Sequence, residues 1–143
     1  MKRTLLLAGG CAVAAIAAYV IINSTSDTPA PSAATPDGAA MVQIQLPPLE
    51  GNAAIGQRIF DNACSTCHGT NAVGKEGAGP PLIHVIYEPN HHGDEAFQRA
   101  VALGVKSHHW RFGDMPPVAG LTRGDVAMVI DYIRQVQRAN GIH

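Results

Sequence analysis

Ala53-Ala54-Ile55-Gly56-Gln57-Arg58-Ile59-Phe60-Asp61-Asn62-Ala63-Cys64-Ser65-Thr66-Cys67-His68 carries an apolar face into two cysteines and a histidine. Ile55, Ile59 and Phe60 stand at i, i+4 and i+5, the spacing of one buried helical stripe, so a first helix is expected from Ala53 to Cys64. Two thiols three positions apart with a histidine directly after them have the C-x-x-C-H form of a c-type haem attachment. The spacing has a mechanical reason. The thiols reach the two vinyl groups on one edge of the porphyrin, and the imidazole that follows is placed to meet the iron. Cys64, Cys67 and His68 are therefore candidate cofactor-holding residues, with His68 as a metal ligand.

Two other chemistries use a cysteine pair. A structural zinc site takes four ligands and usually a second Cys pair; the remaining cysteine, Cys11, is isolated in an apolar run. A thioredoxin-like dithiol is expected beside a βαβ pattern, and no buried-strand pattern is present.

Toward the C-terminus the pattern stays helical with Gly and Pro punctuation. Gly93-Asp94-Glu95 places acidic residues at a helix start, and Phe97, Ala100 and Val101 lead to Gly104 as a stop, giving a middle helix of about ten residues. Thr122-Arg123-Gly124-Asp125 has capping-box spacing, and Val126, Val129, Ile130, Ile133 and Val136 recur at helical intervals behind it. The stretches 69–81 and 107–117 are expected as loops. Three short helices bury little apolar surface, so a large flat apolar group is expected to complete the core.

Toward the N-terminus, Asn23 to Glu50 holds five of the ten prolines among Ser, Thr, Ala and Gly and reads as a linker. Ahead of it, Thr4 to Ile22 is uncharged, with Lys2 and Arg3 before it. That length suits an uncleaved membrane anchor better than the apolar core of a cleavable signal, about 7–15 residues. Positive-inside orientation then puts the rest of the chain on the far side of the membrane. The expected location is the bacterial inner membrane with the folded domain in the periplasm, the alternative being a soluble periplasmic form after cleavage. The segment Leu7-Ala8-Gly9-Gly10-Cys11 is a poor lipoprotein signal, since the apolar run continues well past Cys11, and the expected organisation is 1–22 anchor or signal, 23–50 linker and 51–143 folded domain. The net charge of −1, with both signs mixed along the chain, leaves no nucleic-acid footprint.

Over residues 51–143 the sequence resembles the class I cytochrome c family. Gly56 and Phe60 match its first helix, Tyr132-Ile133 the aromatic–aliphatic pair of its last helix, and Gly79-Pro80-Pro81-Leu82 its G-P-x-L segment. The resemblance implies an all-α domain with three main helices and long loops around one covalent haem c. It also implies that the Pro80 carbonyl accepts a hydrogen bond from His68, with Leu82 beside the cofactor. The implied function is one-electron transfer between redox-partner proteins, with no small-molecule substrate and no enzymatic activity.

Of four methionines, only Met115, in Gly113-Asp114-Met115-Pro116-Pro117, lies in a loop at a suitable distance after the haem motif. Met1 and Met41 fall outside the expected domain and Met128 within the terminal helix. The Met-Pro pair resembles the family's distal-ligand loop, which makes Met115 the candidate second metal ligand; His/Met ligation raises the potential relative to two imidazoles. His84, His91, His92, His108 and His109 are the rival ligands. An open sixth position would instead suit a haem enzyme or gas sensor. The adjacent pairs His91-His92 and His108-His109 read either as solvated loop histidines, some bonding haem propionates, or as a second metal site such as copper, the mark of a metal-handling protein. Trp110, Arg111 and Tyr87 are further propionate candidates.

Overall fold

The computed structural model describes residues 38–143. The expected anchor over 1–22 and the first part of the expected linker lie outside the described residues. Among those described, no helix is long and apolar enough to cross a membrane.

Helix α1 spans Gly51–Ala63, a single turn α2 spans Ser65–His68, α3 spans Asp94–Leu103 and α4 spans Arg123–Ala139. No strand forms among the described residues; two isolated bridges, Lys75 with Gly79 and Val105 with Met115, are the only β pairing there. The three long helices start within two residues of where the sequence places them, the first two also stop there, and α4 runs three residues past Val136, the last position of its apolar stripe. At α4 both halves of the capping box are made: the Thr122 hydroxyl accepts from the Asp125 backbone N–H at 3.2 Å, and the Asp125 carboxylate accepts from the Thr122 N–H at 2.9 Å. Gly104 ends α3 with φ +76°, a left-handed value open to glycine.

The core is the crossing of α1 on α4. Ala53 and Phe60 from α1 meet Val129, Tyr132, Ile133 and Val136 from α4, all buried. The rings of Phe60 and Tyr132 lie 5.6 Å apart and tilted by 56°, a favourable aromatic geometry. The crossing is close because Gly56 has no side chain: a Cβ built there would stand 1.9 Å from the Met128 carbonyl oxygen.

A buried polar arrangement on α4 holds the long loop between α2 and α3. Arg134, 6% exposed, donates to the Tyr87 and His92 carbonyls at 2.6 and 2.5 Å and to Asp94 at 2.9 Å. Gln137, fully buried, donates to the Leu82 and Tyr87 carbonyls at 2.8 and 3.0 Å. A helix side chain thus satisfies loop carbonyls that burial would otherwise leave unpaired, which costs about 1–3 kcal/mol each when it happens. Arg134 also stacks over Phe97, with 5.0 Å to the ring centroid.

The folded unit begins earlier than the expected boundary at 51. Met41 and Val42 donate to the Val73 carbonyl at 3.1 and 3.2 Å, Glu76 donates to the Ala39 carbonyl at 3.0 Å, and Ile44 and Leu49 pack on the core. Gln45 and the Asn140 side chain exchange two hydrogen bonds, both 2.8 Å. Residues 39–49, expected as linker, therefore belong to the domain. The prolines pointed to a linker, but Ile44 and Leu49 pack on the core and the backbone bonds to Val73 and Asn140 dock the segment without any regular element, while Leu46 stays exposed.

Candidate haem site

Helix α1 delivers the cysteine–histidine turn. The Cys64 N–H continues the α1 ladder to the Phe60 carbonyl at 2.8 Å, and His68 N–H closes α2 on the Cys64 carbonyl at 3.0 Å. Burial, and after it the neighbouring Cys67, push the Cys64 thiol up to about 11. Redox-active dithiols depend on a depressed thiol pKa, so this environment does not suit dithiol exchange. Cys64, Cys67 and His68 do not converge as zinc ligands: among the described residues the group of His, Cys, Asp or Glu whose ligand atoms come within 4.8 Å of one another is His91, His92 and His109.

After His68 the chain reverses. Asn71 and Ala72 adopt positive φ of 58° and 60°, and the Ala72 carbonyl accepts from Leu82 and Ile83 at 2.9 and 3.3 Å. This loop returns Pro80 to the histidine it follows in sequence by twelve positions. His68 Nδ1–H donates to the Pro80 carbonyl at 2.9 Å. The bond fixes the tautomer and leaves Nε2 with its lone pair free. Burial lowers the His68 pKa, with the Pro80 bond opposing it, so the ring is a neutral, metal-ready imidazole at neutral pH.

Met115 is presented by a clasped loop. It exchanges two backbone hydrogen bonds with Val105, 2.9 and 3.0 Å. Asp114 accepts from Lys106 at 2.5 Å and from the Ser107 N–H at 2.9 Å; these bonds hold its carboxyl below the usual range, Lys106 contributing most. The pair is exposed, so it fixes loop geometry more than it adds stability. Gly104 is required here a second time, because a Cβ would stand 2.5 Å from the Met115 carbonyl oxygen.

These segments enclose a cavity of about 370 Å³. Cys64, His68, Pro80, Leu82 and Met115 all line it; Cys67 does not and is exposed. Phe60, Phe97, Val129, Ile130 and Ile133 supply apolar walls. Trp110 Nε1–H is buried and makes no hydrogen bond of normal geometry, with the Tyr87 hydroxyl the acceptor within its reach, and its ring lines the cavity. A buried donor so weakly satisfied is rare and leaves room for an acceptor from a bound group, as a propionate would be. An apolar slot with the Pro80-oriented imidazole of His68, the thioether of Met115 and a weakly satisfied indole donor fits a haem.

The described residues also settle where the rival ligands stand. His84 accepts from the Ile86 N–H at 3.2 Å and meets Trp110 edge-on, with ring centroids 5.2 Å apart; neither it nor His91 lines the cavity, whereas His92, His108 and His109 do. Met128 is half-buried on α4, away from the cavity lining. Met41, expected outside the domain, is inside the fold, where its sulfur lies close to Gly74 and not in the cavity. Arg111 is exposed and outside the lining, and Tyr87 is within it.

Comparison with protein families matches the cytochrome c model over residues 53–137, well over half of the chain. The chain belongs to the cytochrome c family. This class I c-type cytochrome carries a covalently bound haem c, and the cavity between α1, α3 and α4 is the place in it with the matching walls. Members of the family are generally electron carriers. No curated protein sequence and no solved structure matches this cytochrome.

Sequence reasoning missed the part played by Arg134 and Gln137. Both lie between the apolar positions of α4 and look like solvent-facing residues. Their spacing of three does place them on one helical face, which was the available signal.

Proposed function

We propose that this cytochrome relays single electrons between redox-partner proteins, with the haem joined through Cys64 and Cys67 and its iron held between His68 and Met115. The observation that carries the ligand assignment is the His68–Pro80 hydrogen bond at 2.9 Å, made on a wall of the cavity that Met115 also lines. The haem supplies the one-electron chemistry when bound. The chain's residues orient, exclude water and set the ligand field. Pro80 holds the His68 ring by its Nδ1 and raises the basicity of Nε2. Val105 and Gly104 fix the backbone of Met115, while Phe60, Val129, Ile130 and Ile133 keep solvent from the buried side.

Met115→Ala is expected to leave haem covalently attached. It should abolish the weak red-region absorption of Met-ligated ferric haem and lower the potential by on the order of 0.1–0.3 V, within the roughly 0.8 V range that axial ligands span. An unchanged spectrum and potential would pass the role to His92, His108 or His109.

The apolar run over 4–22 supports a further element of this reading, an anchor holding the domain at the periplasmic face of the inner membrane. Because the domain already begins near residue 39, the tether from Asn23 to Gly38 has 16 residues and an expected span of about 20–24 Å. That confines the cytochrome to neighbouring partners at raised effective concentration. Cell fractionation with intact-mass measurement tests it: the anchored form stays with membranes and retains Lys2 and Arg3, and a haem protein recovered in the soluble periplasm and beginning after Ile22 would overturn it.

A further inference from the structure

The His91-His92 pair precedes α3 and the His108-His109 pair follows it, and the fold brings both to one rim of the haem cavity. His91 Nε2 and His109 Nε2 are 3.2 Å apart, and the ligand atoms of His91, His92 and His109 all lie within 4.8 Å of one another. Two nitrogens bound tetrahedrally at about 2.0–2.1 Å to one ion stand about 3.3 Å apart. The first pair already has that separation. His92 Nδ1–H donates to the Ile86 carbonyl at 2.6 Å, which fixes the tautomer and leaves Nε2 unprotonated. Such an outer bond is the one that metal-bound imidazoles make with their second nitrogen. The loop bearing His92 is itself fixed, since Arg134 donates to the His92 carbonyl at 2.5 Å.

We propose that His91, His92 and His109 form a second metal site in this protein, separate from the haem iron and selective for a divalent late transition ion, Cu²⁺ or Zn²⁺. The donor set decides the class. Three imidazoles and no carboxylate suit copper and zinc, whereas magnesium and calcium take oxygen ligands. His108 stands next in line for a fourth position: its ring lies 4.4 Å from that of His109, and its Nδ1–H donates to the Lys106 carbonyl at 2.7 Å, again freeing Nε2. By the general order of divalent affinities Cu²⁺ binds more tightly than Zn²⁺. The site sits beside the cofactor, because His92 and His109 line the same cavity as Met115. An ion bound there adds positive charge near the haem and raises its reduction potential.

The test uses the untagged, full-length, haem-loaded protein, titrated with Zn²⁺ by calorimetry and with Cu²⁺ by electron paramagnetic resonance. The expected result is one ion per haem, with nitrogen couplings on copper and no tight binding of Mg²⁺ or Ca²⁺. His91→Ala and His109→Ala are each expected to weaken binding roughly tenfold or more, at least the loss that follows removal of an outer hydrogen-bond partner. Both residues are exposed, so truncation leaves the fold intact. His143→Ala is expected to bind as the parent does. The haem absorption of the double variant carrying both His91→Ala and His109→Ala, without added metal, should match the parent's, and the potential should rise on loading only where the cluster is whole. Absence of stoichiometric binding overturns the proposal, as does equal affinity in the double variant. A changed haem spectrum in that variant also overturns it, by making these histidines ligands of the haem iron.

Discussion

A chain with alanine at both Cys64 and Cys67 is expected to lose covalent haem completely, and with it most of the stability of the domain. The first half follows from chemistry: no other thiol lies in the described domain, so no thioether can form. The second half follows from burial. The cavity of about 370 Å³ is lined by Phe60, Leu82, Val129, Ile130 and Ile133, side chains that elsewhere would pack on each other. Without the haem these side chains face water instead of a packed group, which forfeits about 25 cal/mol for each Å² of apolar surface left uncovered. Whole domains of this size are stable by only about 5–15 kcal/mol, so the haem-free variant should be unfolded or marginal. Haem stain on a denaturing gel reads the first effect and thermal unfolding by circular dichroism reads the second. A double variant that still stained would defeat the attachment assignment. One that lost the stain yet melted like the parent would show that the α1–α4 crossing carries the fold without its cofactor.

Gly56→Ala is expected to be the most damaging single methyl group that can be added to α1. Its Cβ would fall 1.9 Å from the Met128 carbonyl oxygen and 2.4 Å from the carbonyl carbon. Both are backbone atoms of α4, which no rotamer change can move aside. The helices must separate, and the Phe60–Tyr132 contact loosens with them. Overpacking of this kind costs about 1–3 kcal/mol and occasionally more; a loss near 3 kcal/mol lowers the melting temperature of a domain this size by on the order of 15 °C. Gly124→Ala supplies the contrast. That helical glycine has only the Thr122 hydroxyl nearby, at 3.6 Å, and the same change there should stabilise by about 0.5–1 kcal/mol through helix propensity. Equal effects at the two positions would mean that the crossing is not the close contact described.

How much of this was legible depended on whether the relevant signal was local. Thr122 and Asp125 are three residues apart and bond each other, so the start of α4 could be read directly. The apolar stripe from Val126 to Val136 likewise states which face is buried. The meeting of Cys64, His68 and Met115 is not local, and it became readable only through the C-x-x-C-H spacing and the likeness of the Pro80 and Met115 segments to a known family. Two features stayed hidden because their partners are distant backbone groups. Arg134 reaches carbonyls at Tyr87 and His92, more than forty positions away, and nothing in its neighbourhood announces that. Residues 39–49 dock without forming an element, so their proline-rich texture suggested a linker while their backbone N–H groups were already committed to Val73 and Asn140. The convergence of the two histidine pairs is of the same kind, since the turn geometry around α3 decides it.

The paired bonds between Gln45 and Asn140 act as a cable clamp. A pull arriving along the chain from the N-terminal side is taken up there and at Val73, across short hydrogen bonds loaded together, before it reaches α1. None of residues 39–46, and neither Ala139 nor Asn140, lines the haem cavity. Such a load is shared between the end of α4 at Asn140 and the turn at Val73, whose neighbour Gly74 donates to the His68 carbonyl at 2.8 Å, so the N-terminal segment is mechanically joined to the loop that orients the haem histidine.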